Sequence, residues 1–262
     1  MKTSTLLIDR KDVFIMKVYA VSDLHGCLDL YKQIKEFIQP EDKVYVLGDC
    51  GDRGPQSWET IKAVYEDPQF IYLKGNHEDM LVKSIDEWLY EDQHLHGYDY
   101  RVLCHNGGEQ TFKGWKNGPE RNKWFRKIQA LPTKEVYVNT QGQKVILSHA
   151  GLSPEGENDF AWGEDLLWDR EHFYEPWTGA DDMIVVHGHT PFVYMVDAYD
   201  VEKPQCEEMP EDEPIHAVWY CEHHKVCIDA GAVFTGQTIL LDLDTFEEHY
   251  FLFLLLYMCL YL

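Results

Sequence analysis

A mixed α/β (α+β) fold is what this sequence predicts, with a mainly parallel sheet in its first half and antiparallel pairing in its second. Two observations carry that expectation. A strand, a glycine-flanked cluster and a helix follow one another three times before residue 90, and short alternating apolar runs joined by turn residues occupy the chain beyond residue 133. Strands that alternate with helices imply βαβ units, whose ligands gather beyond the carboxyl ends of the strands.

The first strands are the β-branched and aromatic runs Lys17–Val21, Lys43–Leu47 and Phe70–Leu73. Helical periodicity takes over after each: Leu28, Tyr31, Ile34 and Ile38 share one face, Trp58, Ile61 and Val64 the next, and Leu81, Ile85 and Trp88 a third. From Glu91 to Ala130 the pattern loosens into a His-, Asn- and Gly-bearing stretch followed by a Lys/Arg-rich helical segment. It reads as an inserted cap that helps shape a substrate cleft. Further strands are expected at Val136–Asn139, Lys144–Leu147, Met183–Val186, Ala217–Cys221, Val226–Asp229 and Thr238–Leu243, with a tight turn at Gln141-Gly142. Asp197–Pro214, acidic and proline-bearing, reads as an exposed loop.

With 262 residues, 45% of them apolar and 14% aromatic, the chain can bury the core of one large α/β unit. Its formal charge of −23 opposes a sequence-independent grip on nucleic acid, which needs clustered Lys and Arg, and disfavours an anionic membrane surface. Seven cysteines without a CxxC pair suit reduced thiols in a cytoplasmic protein. The run Cys221–Cys227 contains His223 and His224, but it lies between two alternating runs and reads as a β-hairpin tip rather than a zinc site. Residues 1–15 lack the apolar stretch of a secretory leader and read as an extension before Met16, a candidate natural start. The twelve apolar residues Phe251–Leu262 fall short of the roughly 20 that a membrane helix needs, and stable membrane association is not expected.

The chemistry resides in five clusters: Ser22-Asp23-Leu24-His25-Gly26, Gly48-Asp49-Cys50-Gly51-Asp52-Arg53-Gly54, Gly75-Asn76-His77-Glu78, Ser148-His149-Ala150-Gly151 and His187-Gly188-His189-Thr190. Asp23 and His25 can converge on one metal from a turn. Asp49 can bridge two ions, Asn76 offers a neutral oxygen, and His149 and His189 offer nitrogen. Mixed Asp, Asn and His ligands suit Mn²⁺, with Fe or Zn²⁺ as alternatives, better than Ca²⁺. Two such ions can clamp a phosphoryl group and activate a shared water. Arg53 and Arg170 can bind phosphate oxygens. A leaving alkoxide needs a proton, and His77, beside Asn76, is placed to give it; Asp52 would pair with His77, raise its pKa and fix its ring. Taken singly the clusters have plainer readings, such as Glu78 capping a helix or Arg170 in a surface ion pair. His187 reads as a core group, and His94, His96, His105 and Asn106 as cleft-lining or solvent-facing.

As a set, SDLHG, GDCGDRG, GNHED, SHAGL and HGHTP, with WDRE and IDAGAVF (Ile228–Phe234), resemble the phosphoprotein phosphatase branch of the calcineurin-like metallophosphoesterases, especially its compact bacterial and phage members. The resemblance covers about Met16 to Tyr250, which sets the domain at 16–250, with its cap near 91–130 and an apolar tail at 251–262. It implies a four-layer α/β/β/α sandwich, one metal on Asp23, His25 and Asp49, and the other on Asp49, Asn76, His149 and His189. It also implies His77 as general acid supported by Asp52, and Arg53 and Arg170 on the phosphate. Ser22 and Gly51 depart from the family's glycine and valine. Symmetrical dinucleoside tetraphosphatases share the scaffold but carry alanine at the position of Asp52 and GNHD in place of GNHE. The resemblance therefore favours a Ser/Thr protein phosphatase acting on a phosphorylated protein or small phosphoester. Dinucleoside tetraphosphate hydrolysis is the alternative, and a silent metal- or phosphate-binding module a third.

Overall fold

Alternation along the first strand decides what each face of its sheet meets. In β1 (Val18–Val21), Val18 and Ala20 point into a cluster shared with Val145, Leu147, Ile184 and Val186, whereas Tyr19 and Val21 point toward helices. The same division holds in β2 (Lys43–Val46): Val44 and Val46 face helices, and Tyr45 faces the other sheet. The structure, a computed structural model, describes residues 16–90, 97–152, 165–191 and 214–253.

The remaining strands are β3 (Phe70–Tyr72), β4 (Lys134–Val138), β5 (Lys144–Ser148), β6 (Met183–His187), β7 (Val218–Tyr220), β8 (Lys225–Cys227), β9 (Gln237–Asp242) and β10 (Glu248–Leu252). One sheet has the order β10-β9-β1-β2-β3, with β1, β2 and β3 parallel and β9 and β10 antiparallel. The other has the order β4-β5-β6-β8-β7. Its centre is parallel, β5 to β6 and β6 to β8, and only its edges β4 and β7 are antiparallel. The antiparallel pairing expected in the second half is found at β4–β5, β7–β8 and β9–β10, while β5, β6 and β8 are parallel. Long crossovers separate Ser148 from Met183 and His187 from Lys225, and such crossovers permit parallel neighbours.

Against the outer face of the first sheet pack α1 (Leu28–Phe37), α2 (Ser57–Glu66) and α3 (Asn76–Tyr90). On α1 the buried residues are Leu30 and Ile34, with Ile38 just past its end, so Leu30 replaces the expected Leu28. The outer face of the second sheet carries Ile146, Met183 and Val185, which meet Leu152 and Leu166 of α7 (Asp165–Trp168). The layers thus run helix, sheet, sheet, helix, as expected. No helix among the described residues is long and apolar enough to cross a membrane.

The stretch before residue 130 is more ordered than its sequence suggests. It forms α4 (Tyr98–His105), α5 (Glu109–Lys116) and α6 (Arg121–Gln129), each eight or nine residues long. Phe112 and Trp115 of α5 are fully buried beside Trp58 of α2 and Trp88 of α3. His94 and His96 lie outside the described residues, as do residues 1–15 and all of Asp197–Pro214 except Pro214. β10 is a second departure: Phe251, assigned to the apolar tail, packs edge-on to Phe37 at 5.5 Å, and residues 254–262 lie outside the description. The hairpin tip at 221–224 is as expected, with Cys221, Glu222 and His223 at positive φ; His224 stacks on Trp177 and meets the Met183 carbonyl.

Trp115 fills the joint between α5 and the core and donates its indole N–H to the Arg121 carbonyl at 2.7 Å. Trp115→Ala is expected to cost about 3–5 kcal/mol, read from urea unfolding midpoints. A loss below about 1 kcal/mol would show that α4–α6 are a detachable cap rather than part of the core.

Candidate dinuclear metal centre

The turns that follow β1 and β2 are joined to each other by backbone bonds. His25 N–H donates to the Asp49 carbonyl at 2.9 Å and Gly26 N–H to the Cys50 carbonyl at 2.7 Å. Within these turns Asp23, His25, Asp49, Asp52 and Arg53 all have left-handed φ between 40° and 65°, and His189 joins them at 69°. Each such non-glycine residue costs on the order of 1–3 kcal/mol and persists only where its surroundings over-determine it. One determinant is Glu78, whose buried carboxylate accepts N–H bonds from Asp49 (2.8 Å), Cys50 (3.1 Å) and Gly75 (2.8 Å) and the Tyr72 hydroxyl (2.5 Å). Another is close approach: a Cβ at Gly75 would overlap Asp49 Oδ1, and one at Gly188 would overlap Asp23 Oδ2.

These turns bring together all six residues expected to hold metal. His149 Nδ1 donates to the Leu47 carbonyl at 2.7 Å, so in the neutral ring Nε2 is a lone pair. Around that nitrogen lie Asn76 Oδ1 at 2.9 Å, His189 Nδ1 at 3.1 Å and Asp49 Oδ1 at 3.5 Å. His25 Nδ1 likewise binds the Gly51 carbonyl at 2.9 Å, leaving its Nε2 3.6 Å from Asp49 Oδ2 and 3.9 Å from Asp23 Oδ1. Asp49 also caps α3, where Oδ1 accepts the His77 N–H at 3.0 Å. Buried acceptors facing one another need either protons or a cation between them. Two sets, Asp49/His149/His189 and His25/Asp49/His77, have ligating atoms within 4.8 Å of one another, and Asp49 belongs to both.

The electrostatics point the same way. Burial pushes the Asp49 carboxyl well above its ordinary range, helped by Glu78 and Asp23, and raises Asp23 as well. Burial also drives His25, His77 and His189 well below the ordinary imidazole value. The carboxylates resist ionising and the rings resist protonating, a conflict that divalent cations relieve on both sides. The donor set therefore fits a pair of metals.

His77 Nδ1 lies 2.6 Å from Asp52 Oδ2, as the sequence led one to expect. The expected rise in the His77 pKa is not found. Burial lowers it, and so does Arg53, while burial pushes Asp52 up to about 7. Arg53 donates from Nη1 to His25 Nε2 at 2.8 Å and from Nη2 to His77 Nε2 at 2.9 Å. It also lines a cleft of about 440 Å³ with Arg170, His189, His105 and Asn106. His187 is buried away from the ligand cluster, with Nε2 2.7 Å from the Tyr220 hydroxyl. Sequence reading overlooked the bridging role of Glu78. It also overlooked buried Asp229, whose Oδ1 accepts the Gly231 N–H at 2.9 Å.

Known proteins resemble this chain in sequence and in fold. The calcineurin-like phosphoesterase family model matches residues 16–226. A symmetrical bis(5'-nucleosyl)-tetraphosphatase of Buchnera aphidicola subsp. Acyrthosiphon pisum (strain Tuc7) is 29% identical over 154 residues, 56% of this chain and 48% of the relative. The chain thus spans about half the length of that relative. The asymmetrical bis(5'-nucleosyl)-tetraphosphatase PrpE of Anoxybacillus flavithermus (strain DSM 21510 / WK1) is 24% identical over 247 residues, 83% of this chain and 86% of the relative. A solved structure described as a putative diadenosine tetraphosphatase shares the fold, with TM-score 0.59 and 15% identity over 92% of this chain and 95% of that one. The family match, together with a buried Asp/Asn/His cluster at the ends of parallel strands, shows that the chain belongs to the calcineurin-like phosphoesterases, metal-dependent phosphoester hydrolases.

Proposed function

We infer that this protein hydrolyses dinucleoside polyphosphates, diadenosine tetraphosphate being the model substrate. The observation that carries the reading is the pairing of Arg53 and Arg170 in one cleft that opens beside the Asp49 cluster. Two guanidinium groups together with two dications suit a run of phosphoryl charges better than a single phosphate. The tetraphosphatase names of the similar proteins support the same substrate class. This revises the sequence-based preference for phosphoproteins.

In this reading Asp23, His25 and Asp49 hold one cation, and Asp49, Asn76, His149 and His189 the other. Such ions, Mn²⁺ first among them, would activate water and neutralise charge that builds on the phosphoryl oxygens. Arg53 and Arg170 orient the phosphate chain. The water oxygen bonds to phosphorus, the P–O bond to the leaving group breaks, and the water's proton is released to solvent. If Arg53 turns from His25 and His77 to phosphate, His77 Nε2 would be free to take a proton from solvent and pass it to the leaving oxygen.

A second reading, hydrolysis of phosphoserine or phosphothreonine, is favoured by the 2.6 Å contact between Asp52 and His77. A serine alkoxide needs a proton as it leaves, whereas a nucleoside diphosphate departs as a stable anion. An acid supported by a carboxylate therefore suits the first leaving group more than the second.

Three experiments test these assignments. With Mn²⁺ present, kcat/KM should rank diadenosine tetraphosphate above p-nitrophenyl phosphate and a phosphoserine peptide. Preference for the peptide by more than about tenfold would reverse the order of the two readings. His77→Asn should lower turnover on the peptide by about 10²–10⁴ with metal content kept, and by less on the anhydride; unchanged turnover on both substrates would remove His77 as the acid. Asp49→Asn should lose both ions in elemental analysis, and a variant that still holds two per chain would refute the bridging role.

A further inference from the structure

The hairpin β7–β8 reaches back to the segment that begins at Arg170, one of the two arginines in the cleft. Glu171–Phe173 form a single 3₁₀ turn with Arg170 at its N-terminal end, and so short a turn depends on its neighbours for its place. His172 is the anchor. Its carbonyl accepts Lys225 Nζ at 2.8 Å, and its Nδ1 lies 3.0 Å from the Tyr220 hydroxyl. Cys221 Sγ adds a contact to the Glu175 carbonyl at 3.4 Å.

The Tyr220 hydroxyl has a second partner, His187 Nε2 at 2.7 Å. Counting donors fixes the direction of both bonds. His187 Nδ1 donates to the Gly188 carbonyl at 3.0 Å, so Nε2 of the neutral ring accepts the Tyr220 O–H, and the Tyr220 oxygen accepts the N–H of His172 Nδ1. One hydroxyl thus ties the turn after Arg170 to the strand end that leads into His189. The His172 ring also lies against Gly151, where a Cβ would meet its Cε1 at 2.7 Å, just beyond His149. Both imidazoles are fully buried.

We propose that Tyr220 is a positioning residue for the phosphate clamp: through His172 and His187 its hydroxyl sets Arg170 against the loops that carry His149 and His189. The proposal rests on Arg170 as a phosphate contact, and it holds whichever ester is cleaved. An arginine that must meet a phosphoryl group beside the Asp49 cluster works only if its backbone is fixed relative to that cluster, since a misplacement of about 1 Å can cost on the order of 100-fold. Tyr220 acts through Arg170 and makes no bond of its own to phosphate.

Competitive inhibition of p-nitrophenyl phosphate hydrolysis by inorganic phosphate reads the clamp directly. With Mn²⁺ present, Arg170→Ala should weaken phosphate binding. Tyr220→Phe, which keeps the ring, should raise Ki and KM by about tenfold, with kcat changed far less and metal content kept. In the Arg170→Ala background the same substitution should have no further effect. An unchanged Ki in Tyr220→Phe, or a penalty that persists in full without Arg170, would overturn the proposal. If Arg170→Ala alone leaves Ki unchanged, the phosphate role of Arg170 falls and the proposal with it. Should Tyr220→Phe fail to fold, His172→Leu and His172→Asn put the same question, because asparagine keeps an N–H near the place of Nδ1. Only the leucine variant should then weaken phosphate, and equal weakening in both would overturn the proposal. None of these outcomes depends on dinucleotide hydrolysis, so the substrate assignment can fail separately.

Discussion

Asp49 sits where everything in this site converges, and both of its oxygens face groups that cannot satisfy it alone. Oδ1 accepts one N–H from His77 and lies 3.5 Å from His149 Nε2, while Oδ2 lies 3.6 Å and 3.8 Å from the Nε2 atoms of His25 and His77. An ionised carboxylate buried among other carboxylates and uncharged rings is costly unless cations reach it. Much of the surrounding architecture exists to hold it there. Gly75 makes room for it, Glu78 pins its backbone N–H, and the turns after β1 and β2 are bent into left-handed geometry around it. Cations bound between these groups would offset that cost.

Most of the site was legible because its residues sit in short turns directly after β-branched strands, where local pattern and chemistry coincide. Asp23, Asp49 and Asn76 follow β1, β2 and β3 closely, and His149 and His189 follow β5 and β6 in the same way. What stayed hidden depends on distance along the chain. Glu78 looks like a helix cap, yet two of its partners, Asp49 N and Cys50 N, lie 29 and 28 residues away. Helices α4 and α5 have eight residues each, which leaves few helical repeats to recognise, whereas the Lys/Arg-rich α6 reads as helical from its sequence. The strand β10 begins Glu-His-Tyr at a sheet edge, with none of the aliphatic β-branched residues that mark the central strands. The direction of the His77 shift follows from burial, which overrides the neighbouring carboxylate and which no motif reports.

The strongly acidic chain and an anionic substrate are reconciled at the cleft. With two dications bound, the reaction centre would be locally positive beside Arg53 and Arg170, and low-dielectric walls would concentrate that field. The ligand cluster and its turns are indifferent to what the phosphate is attached to. Side chains that line the cleft, among them His105 and Asn106 at the end of α4, would then meet the group attached to the phosphate. The helices that supply this pair are packed into the core through Phe112 and Trp115, both fully buried.

Anomalous diffraction from crystals grown with Mn²⁺ tests the central claim most directly, because it locates the cations instead of inferring them. The account predicts two peaks about 3.5–4 Å apart on either side of the Asp49 carboxylate. One should be bonded to His149 Nε2 and Asn76 Oδ1, the other to His25 Nε2 and Asp23. A folded, hydrolytically active protein whose crystals show no anomalous density between these atoms would contradict it.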